Sequence, residues 1–213
     1  MSYSELRAND MRVEREIARF LDSHVYNKES LFLNPRRTDT LDWQFKGCDI
    51  IVDVPSLGLQ NVIVDEKTQG HYLLRPLPTF ALELSFLNKN NELMEGWFTD
   101  KSKATQYYMF LWITASEDDR TFTSDKVTDV KFAFVSRQKI LDYLESNGYG
   151  YEKLREMDSL IRISNPNGGA VNKTSYSDFW FYYTTNLKEK PINIVLRQRL
   201  IYSLSDFYYD FKR

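Results

Sequence analysis

The stretch WQFKGCDIIVDVPSLGLQNVIVDEKTQ, residues 43–69, decides which fold this chain adopts. Two runs rich in β-branched and aromatic residues, 43–54 and 61–69, flank a turn at residues 55–58. Two such runs joined by a short connection predict an antiparallel hairpin. Phe80–Leu87 is a similar run, and we predict that it forms the next strand of the same sheet.

Outside this stretch, the spacing of apolar residues predicts helices that alternate with strands. We expect helices at 5–24, 100–113, 138–146, 151–157 and 200–208, strands at 130–136, 179–185 and 192–196, and a loop at 27–42. That order predicts an α/β (α+β) fold in which helices flank one mixed central sheet. We expect a single domain over 1–213, with a core at about 5–146 and a C-terminal elaboration at about 147–213.

Composition and charge narrow the class of protein. The chain has 213 residues, 42% of them hydrophobic and 27% charged, which is typical of a folded globular protein. The net charge of -2 does not indicate a nucleic-acid binder by itself. One cysteine, Cys48, and two histidines argue against a zinc site. No apolar run reaches about 18 residues, so we expect a cytoplasmic protein with no membrane partner.

The second run of the hairpin carries charges where a core strand is normally apolar. Alternation puts Ile63, Asp65, Lys67 and Gln69 on one face of the strand. In the first run, Asp49 directly precedes three apolar residues. An isolated carboxylate is costly to bury unless it is paired or binds a metal. The pattern therefore predicts a polar site on one side of the sheet.

In a hairpin, Asp49 and Asp65 can lie near each other. Two neighbouring carboxylates repel, and a divalent cation relieves that repulsion; ligation by oxygen alone suits Mg²⁺ or Mn²⁺. Lys67 would then lie beside the metal. The alternative is an ion pair between Asp65 and Lys67 at a solvated sheet edge, worth about 0–1 kcal/mol.

The chain resembles the PD-(D/E)XK nuclease superfamily, the restriction-endonuclease-like fold, in two segments, Gly47–Val52 and Val64–Gln69. These segments contain Asp49, Asp65 and Lys67 at the positions of the superfamily motif. The core of that superfamily is a helix, three antiparallel strands, a helix, a strand and a helix. The predicted elements follow the same order up to about residue 146. The proline of the superfamily name is absent, because Gly47 and Cys48 precede Asp49.

The resemblance implies a metal-dependent deoxyribonuclease that hydrolyses phosphodiester bonds. Asp49 and Asp65 would ligate Mg²⁺ or Mn²⁺ with the backbone carbonyl of Glu66. Lys67 would position or activate the attacking water, and Gln69 would orient a water or a phosphate. Glu14 on the first helix would bind the metal directly or lie behind its ligands, with Glu16 as the competing choice.

The resemblance also implies a nucleic acid, most simply DNA, as the partner. Lys103 and Gln106 would then lie near the phosphates at the start of the helix after the third strand. Arg36 and Arg37, beside a proline, are further candidates for phosphate contacts, with a solvated loop pair as the alternative. The aromatic C-terminal region allows a homodimer.

Other acidic residues compete for the same roles. Asp53 shares a face with Asp49, although a solvated strand-end residue is the simpler interpretation. Glu83 is either an extra acid near the metal or an exposed residue of its strand. Asp39 and Asp42 are alternatives to Asp49 as the first acid, but neither leads directly into an apolar strand.

Two other interpretations of the whole chain stay open. The same fold without turnover would serve as a nucleic-acid-binding or assembly subunit. An unrelated α+β domain would contain the D-x-K triplet by chance.

Overall fold

The computed structural model describes residues 3–38 and 40–212. The chain divides into two compact units built from interleaved segments. The first unit comprises Met1–Leu77, Ala104–Val135 and Asp206–Arg213, and the second comprises Pro78–Lys103 and Ser136–Ser205. Each unit has its own β-sheet.

Five α-helices and eleven strands make up the regular structure of the described residues. In chain order they are α1 (Tyr3–His24), β1 (Leu33–Arg37), α2 (Leu41–Phe45), β2 (Ile50–Val54), β3 (Leu59–Lys67), β4 (Thr79–Leu87), β5 (Leu93–Glu95), β6 (Tyr107–Ala115), β7 (Val127–Ser136), α3 (Arg137–Ser146), α4 (Tyr151–Ser164), β8 (Gly169–Val171), β9 (Phe179–Tyr183), β10 (Ile192–Arg197), α5 (Gln198–Leu204) and β11 (Phe207–Lys212).

The sheet of the first unit is mixed, with the strand order β1-β2-β3-β6-β7-β11. The strands β1, β2 and β3 are antiparallel to one another in turn. β6 then pairs with β3 in parallel, and β11 forms the far edge, antiparallel to β7. A parallel pair needs a long connection, and here the chain from β3 to β6 includes β4 and β5.

Helix α1 packs on one face of this sheet because its apolar residues recur at helical spacing. The helix predicted at 5–24 is thereby confirmed. Its apolar side chains share one buried cluster with side chains from β2, β3 and β6, including Val13, Ile17, Phe20, Ile50, Val52, Val62, Val64 and Met109. This core holds β2 and β3, the strands that carry the candidate site.

The second unit has an antiparallel sheet with the order β5-β4-β10-β9-β8. The prediction of one sheet was therefore wrong. The strand at 80–87 exists as β4, but its partners are β5 and β10 instead of β3. Alternating burial marks a segment as a strand without identifying its neighbours, which are set by contacts far away in sequence.

The predicted helix at 100–113 was also wrong, since this region contains β6. Seven of the nine residues of β6 are buried, on both of its faces. A strand buried on both faces is a continuous apolar run without alternation. Such a run is hard to tell from a buried helix by periodicity alone, and here Tyr, Phe, Trp and Ile favour the strand.

Several element boundaries also differ from the prediction. The loop expected at 27–42 contains β1 and the start of α2. The helix expected at 151–157 continues to Ser164, and the one expected at 200–208 ends at Leu204, before β11. The strands expected at 130–136, 179–185 and 192–196 correspond to β7, β9 and β10.

The fold class is mixed α+β with two sheets. The division between the units does not fall at residue 146, and the expectation of one domain over 1–213 stays a prediction. Across residues 3–38 and 40–212, no helix has the length and apolar character needed to cross a membrane.

A glycine in the second unit permits a close approach of two backbone segments. A Cβ at Gly96 would overlap the backbone carbonyl of Glu83. We therefore expect Gly96→Ala to lower the free energy of unfolding by about 1–3 kcal/mol, the usual cost of overpacking. Urea denaturation followed by circular dichroism would measure it.

Gly150→Ala is the matched control. Gly150 has a φ of -62°, and the nearest atom to its new Cβ would be Glu145 Cγ at 3.6 Å, an ordinary contact. A Gly96→Ala protein as stable as this control would contradict the close approach.

Candidate metal-binding site

The antiparallel pairing of β2 with β3 sets where the two candidate aspartates lie. Ile50 is the register partner of Val64, so Asp49, just before β2, lies near Asp65 on β3, and the two carboxylates interact. The Asp49 amide donates a hydrogen bond to the Val64 carbonyl oxygen at 3.0 Å. The predicted hairpin is therefore confirmed, and it brings the two carboxylates together at one end of the strand pair.

The two faces of β3 differ in character. Val62 and Val64 lie in the core beneath α1, and the Glu66 carboxylate on the same face accepts a hydrogen bond from the Tyr26 hydroxyl at 2.6 Å. Successive side chains of a strand point to opposite faces. Asp65 and Lys67 therefore share the face opposite the α1 core, as the alternation of the sequence predicted.

Asp65 and Lys67 form a close ion pair on that face. The Lys67 ammonium nitrogen lies 2.7 Å from Asp65 Oδ1, and their side chains are 22% and 8% exposed. A charge-assisted contact of this length is strong when water is largely excluded. Lys67 thus supplies a positive charge at the edge of an acidic pair.

The environment of Asp49 disfavours its charged form. Its pKa is raised from 3.8 to about 6, first by burial and next by the negative charge of Asp65. Lys67 acts in the opposite direction, as does the Glu66 amide, which donates to Asp49 Oδ2 at 2.7 Å. In the folded chain, Asp49 is therefore favoured with a bound proton or another cation nearby over the uncompensated carboxylate.

Helix α1 brings a third carboxylate within electrostatic reach of this pair. Glu14 is exposed, yet partial desolvation by its surroundings raises its pKa, and the charge of Asp49 raises it further while Lys67 lowers it. Glu16, the competing choice, instead accepts a hydrogen bond from the Ser124 amide at 3.1 Å. Glu14 is therefore the acid of α1 whose pKa responds to the charges of Asp49 and Lys67.

The side chain of Glu66 belongs to a buried network that the sequence did not reveal. The Arg37 guanidinium donates to both of its oxygens, with Nη1–Oε2 at 2.7 Å and Nη2–Oε1 at 3.1 Å. Arg37 also donates to Asp22 Oδ1 at 2.8 Å. Arg37 was predicted to lie in a loop and contact phosphates; it lies on β1 and is engaged by two carboxylates, so we no longer propose a phosphate contact for it.

The other polar candidates lie in varied settings. Gln69 holds the backbone of Leu77: its Oε1 accepts from the Leu77 amide at 2.7 Å and its Nε2 donates to the carbonyl at 3.2 Å. Gln106, which was predicted to open a helix, precedes β6 and accepts from the Ile63 amide at 2.9 Å. Arg36, also on β1 instead of in a loop, donates to Asn61 Oδ1 at 2.6 Å.

Lys103 belongs to the second unit, where its ammonium lies 3.8 Å from Asp100 Oδ2. It precedes a strand instead of opening the predicted helix. The first unit holds Gln106 and Arg36. The nucleic-acid roles of Lys103, Gln106 and Arg36 stay predictions.

The alternative acids lie elsewhere. Asp53 accepts hydrogen bonds from the Asn61 amide and the Asn34 side chain at 2.7 Å each, which lowers its pKa. Asp42 is exposed on α2, and Glu83 is half-buried on β4 of the second unit. Asp39 lies outside the described residues.

The donor chemistry of the site fits a hard divalent cation. Asp49 and Asp65 offer carboxylate oxygens, and Glu66, next to Asp65 on β3, has a backbone carbonyl oxygen. Within residues 3–38 and 40–212, no group of three or more histidine, cysteine, aspartate or glutamate side chains is arranged to hold a metal ion. Magnesium needs no such group, because one or two carboxylates commonly suffice and water completes its shell.

Comparison with known proteins finds no match among protein-family models, curated proteins or solved structures. The resemblance to PD-(D/E)XK nucleases therefore stays a prediction that rests on the residues of this chain and their arrangement.

The raised pKa of Asp49 predicts a pH-dependent cost to stability. Between about pH 4 and pH 6 the folded chain retains a proton that the unfolded chain has released, so stability falls as the pH rises through this window. Asp49→Asn removes that cost. We expect it to raise the free energy of unfolding at pH 8 by up to about 3 kcal/mol, from a shift of about two pKa units, and to change it little at pH 3.5.

Urea denaturation at the two pH values would measure the effect. Asp53→Asn is the control, because hydrogen bonds lower the pKa of Asp53 and its removal brings no such gain. Loss of stability at pH 8 in Asp49→Asn would show that this carboxylate supports the fold.

Proposed function

We propose that this chain is a metal-dependent nuclease of the restriction-endonuclease-like fold that hydrolyses phosphodiester bonds of DNA. The proposal is carried by one observation: the carboxylate of Asp49, just before β2, interacts with that of Asp65 on β3, and the Lys67 ammonium lies 2.7 Å from Asp65. Two carboxylates beside one ammonium are suited to a divalent cation and a phosphate.

The order of elements in the first unit supports the assignment. Helix α1 precedes three antiparallel strands, β1, β2 and β3, and a further strand, β6, pairs with β3. The superfamily to which the chain bears a resemblance has a helix between the third and fourth strands. This chain has β4 and β5 of the second sheet there instead, so the agreement covers the helix and the strands.

Mg²⁺ or Mn²⁺ would be held by Asp49, Asp65 and the Glu66 carbonyl, with Glu14 as a nearby further acid. When bound, the ion would act as a Lewis acid on the phosphate. Hydrolysis adds a water oxygen to phosphorus and breaks the phosphorus–ester oxygen bond, and the departing oxygen takes up a proton.

Lys67 has two tasks in this reaction. Its ammonium donates hydrogen bonds only, so it can hold the oxygen of an attacking water but does not accept that water's proton. The same positive charge stabilises the negative charge that develops on the phosphate oxygens. Gln69 is engaged with Leu77 and more directly holds the chain that follows β3.

The substrate is proposed to be DNA, contacted in the first unit by Arg36 and Gln106; Lys103 of the second unit is a separate proposed phosphate contact. The proposed setting is the cytoplasm, with a homodimer as one possible assembly. Neither the charge nor the described contacts indicate a recognition surface for one DNA sequence.

Cleavage assays test the activity directly. Purified protein with Mg²⁺ or Mn²⁺ should degrade DNA, and Lys67→Ala or Asp65→Asn should lower the rate at least 100-fold, the usual order for a group that acts on the transition state. Lys131→Ala is the matched control, because Lys131 forms an exposed lysine–aspartate pair with Asp210 on the same sheet. Equal rates in all four proteins would reject the proposal.

A non-catalytic role for the same fold is the second candidate. It is favoured by the contact between Lys67 and Asp65, which neutralises that carboxylate without a metal. Calorimetric titration with Mn²⁺ separates the two. A nuclease site should bind the ion in wild type and lose it in Asp65→Asn, whereas a binding or assembly subunit would show no difference between them.

A further inference from the structure

The middle residue of the Asp65-Glu66-Lys67 triplet joins two parts of the first unit. Its backbone amide donates to Asp49 Oδ2 at 2.7 Å, on the side of the candidate site. Its side chain points to the core face, where Arg37 binds both carboxylate oxygens and the Tyr26 hydroxyl donates to Oε1. One residue therefore connects a buried ion pair to the carboxylate of Asp49.

The Arg37–Glu66 pair spans three strands. Arg37 of β1 is the register partner of Ile50 in β2, and Ile50 is the partner of Val64 in β3. The guanidinium therefore crosses β2 to reach Glu66. It does so one residue from Asp49, where the ladder between β2 and β3 ends, so the pair fixes the spacing of β1 and β3 at the level of the site.

The same guanidinium is tied to α1. It donates to Asp22 Oδ1 at 2.8 Å and to the Ala18 carbonyl oxygen at 3.4 Å. Glu14, Ala18 and Asp22 follow one another at intervals of four residues, so they lie along one face of the helix. Arg37 therefore also fixes the rotation of the helix face that presents Glu14.

Burial makes this arrangement stiff. The Glu66 side chain is 9% exposed and that of Arg37 is 26% exposed. A two-bond arginine–carboxylate contact fixes direction as well as distance. Hydrogen-bonded groups behind metal ligands commonly set the orientation of those ligands.

We propose that the Arg37–Glu66 pair positions the acidic site for a divalent cation, holding the Asp49 carboxylate through the Glu66 amide and Glu14 through α1. Neither side chain touches the cation. Both are positioning residues that act through the residues they hold. This inference rests on the proposed function, since it presupposes a cation between Asp49 and Asp65.

The test measures Mn²⁺ binding without any substrate, from the loss of the electron paramagnetic resonance signal of free Mn²⁺. The decisive variant replaces both partners, Arg37→Met with Glu66→Met. Replacing a buried ion pair by apolar residues of similar size often preserves stability. We expect this double variant to stay folded and to bind Mn²⁺ about 10- to 100-fold more weakly than wild type, the usual range for such supporting groups.

Arg37→Lys is the conservative variant, which keeps the charge but not the two-bond geometry. We expect its affinity to lie between those of wild type and the double variant. Arg19→Met is the matched control, because Arg19 is a largely exposed arginine of the same helix that also pairs with a glutamate, and its affinity should equal that of wild type. Thermal melts would compare the folding of all variants.

The outcomes separate this inference from the function on which it rests. If neither wild type nor Asp65→Asn binds Mn²⁺, the metal site and this inference are both rejected. A second outcome is that wild type binds Mn²⁺, Asp65→Asn does not, and the folded double variant binds as tightly as wild type. That result would leave the nuclease proposal standing and overturn the positioning role.

Discussion

The register between β2 and β3 is the constraint on which the rest of the first unit depends. Because Ile50 pairs with Val64, Asp49 and Asp65 come together at the end of the strand pair. A slip of one residue would move every side chain of β3 to the other face. It would bury Lys67 beneath α1 and expose valines. The apolar core under α1 therefore holds the acidic pair in place, although it lies on the other side of the sheet.

Charged side chains lie on both faces at the end of β3, and their charges are compensated differently on the two faces. Glu66 on the core face is neutralised by Arg37 and hydrogen-bonded by Tyr26. On the opposite face, Lys67 pairs with Asp65, and burial together with the charge of Asp65 raises the pKa of Asp49 although Lys67 lowers it. Complete pairing on one face and incomplete pairing on the other is the arrangement expected where a fold gives up stability for a binding site.

The strands β4 and β6 show what local sequence patterns can and cannot predict about a strand. The segment of β4 was recognised as a strand, because alternating burial leaves a clear period of two. Its partners were not recognised, since β10 lies more than one hundred residues further along the chain. The strand β6 was mistaken for a helix because both of its faces are buried and its sequence has no polar period.

The sequence by itself determined α1, the β2–β3 hairpin and the alternation that puts Asp65 and Lys67 on one face, because these follow from periodicity and short connections. The resemblance to PD-(D/E)XK nucleases added Glu14 as the helix acid to consider, which stays a prediction. Only the tertiary structure decided that there are two sheets, that Arg37 lies on a strand, and that it binds Glu66 across β2. The physical reason is that strand neighbours and buried ion pairs join residues distant in sequence, and no local pattern specifies which distant residues will meet.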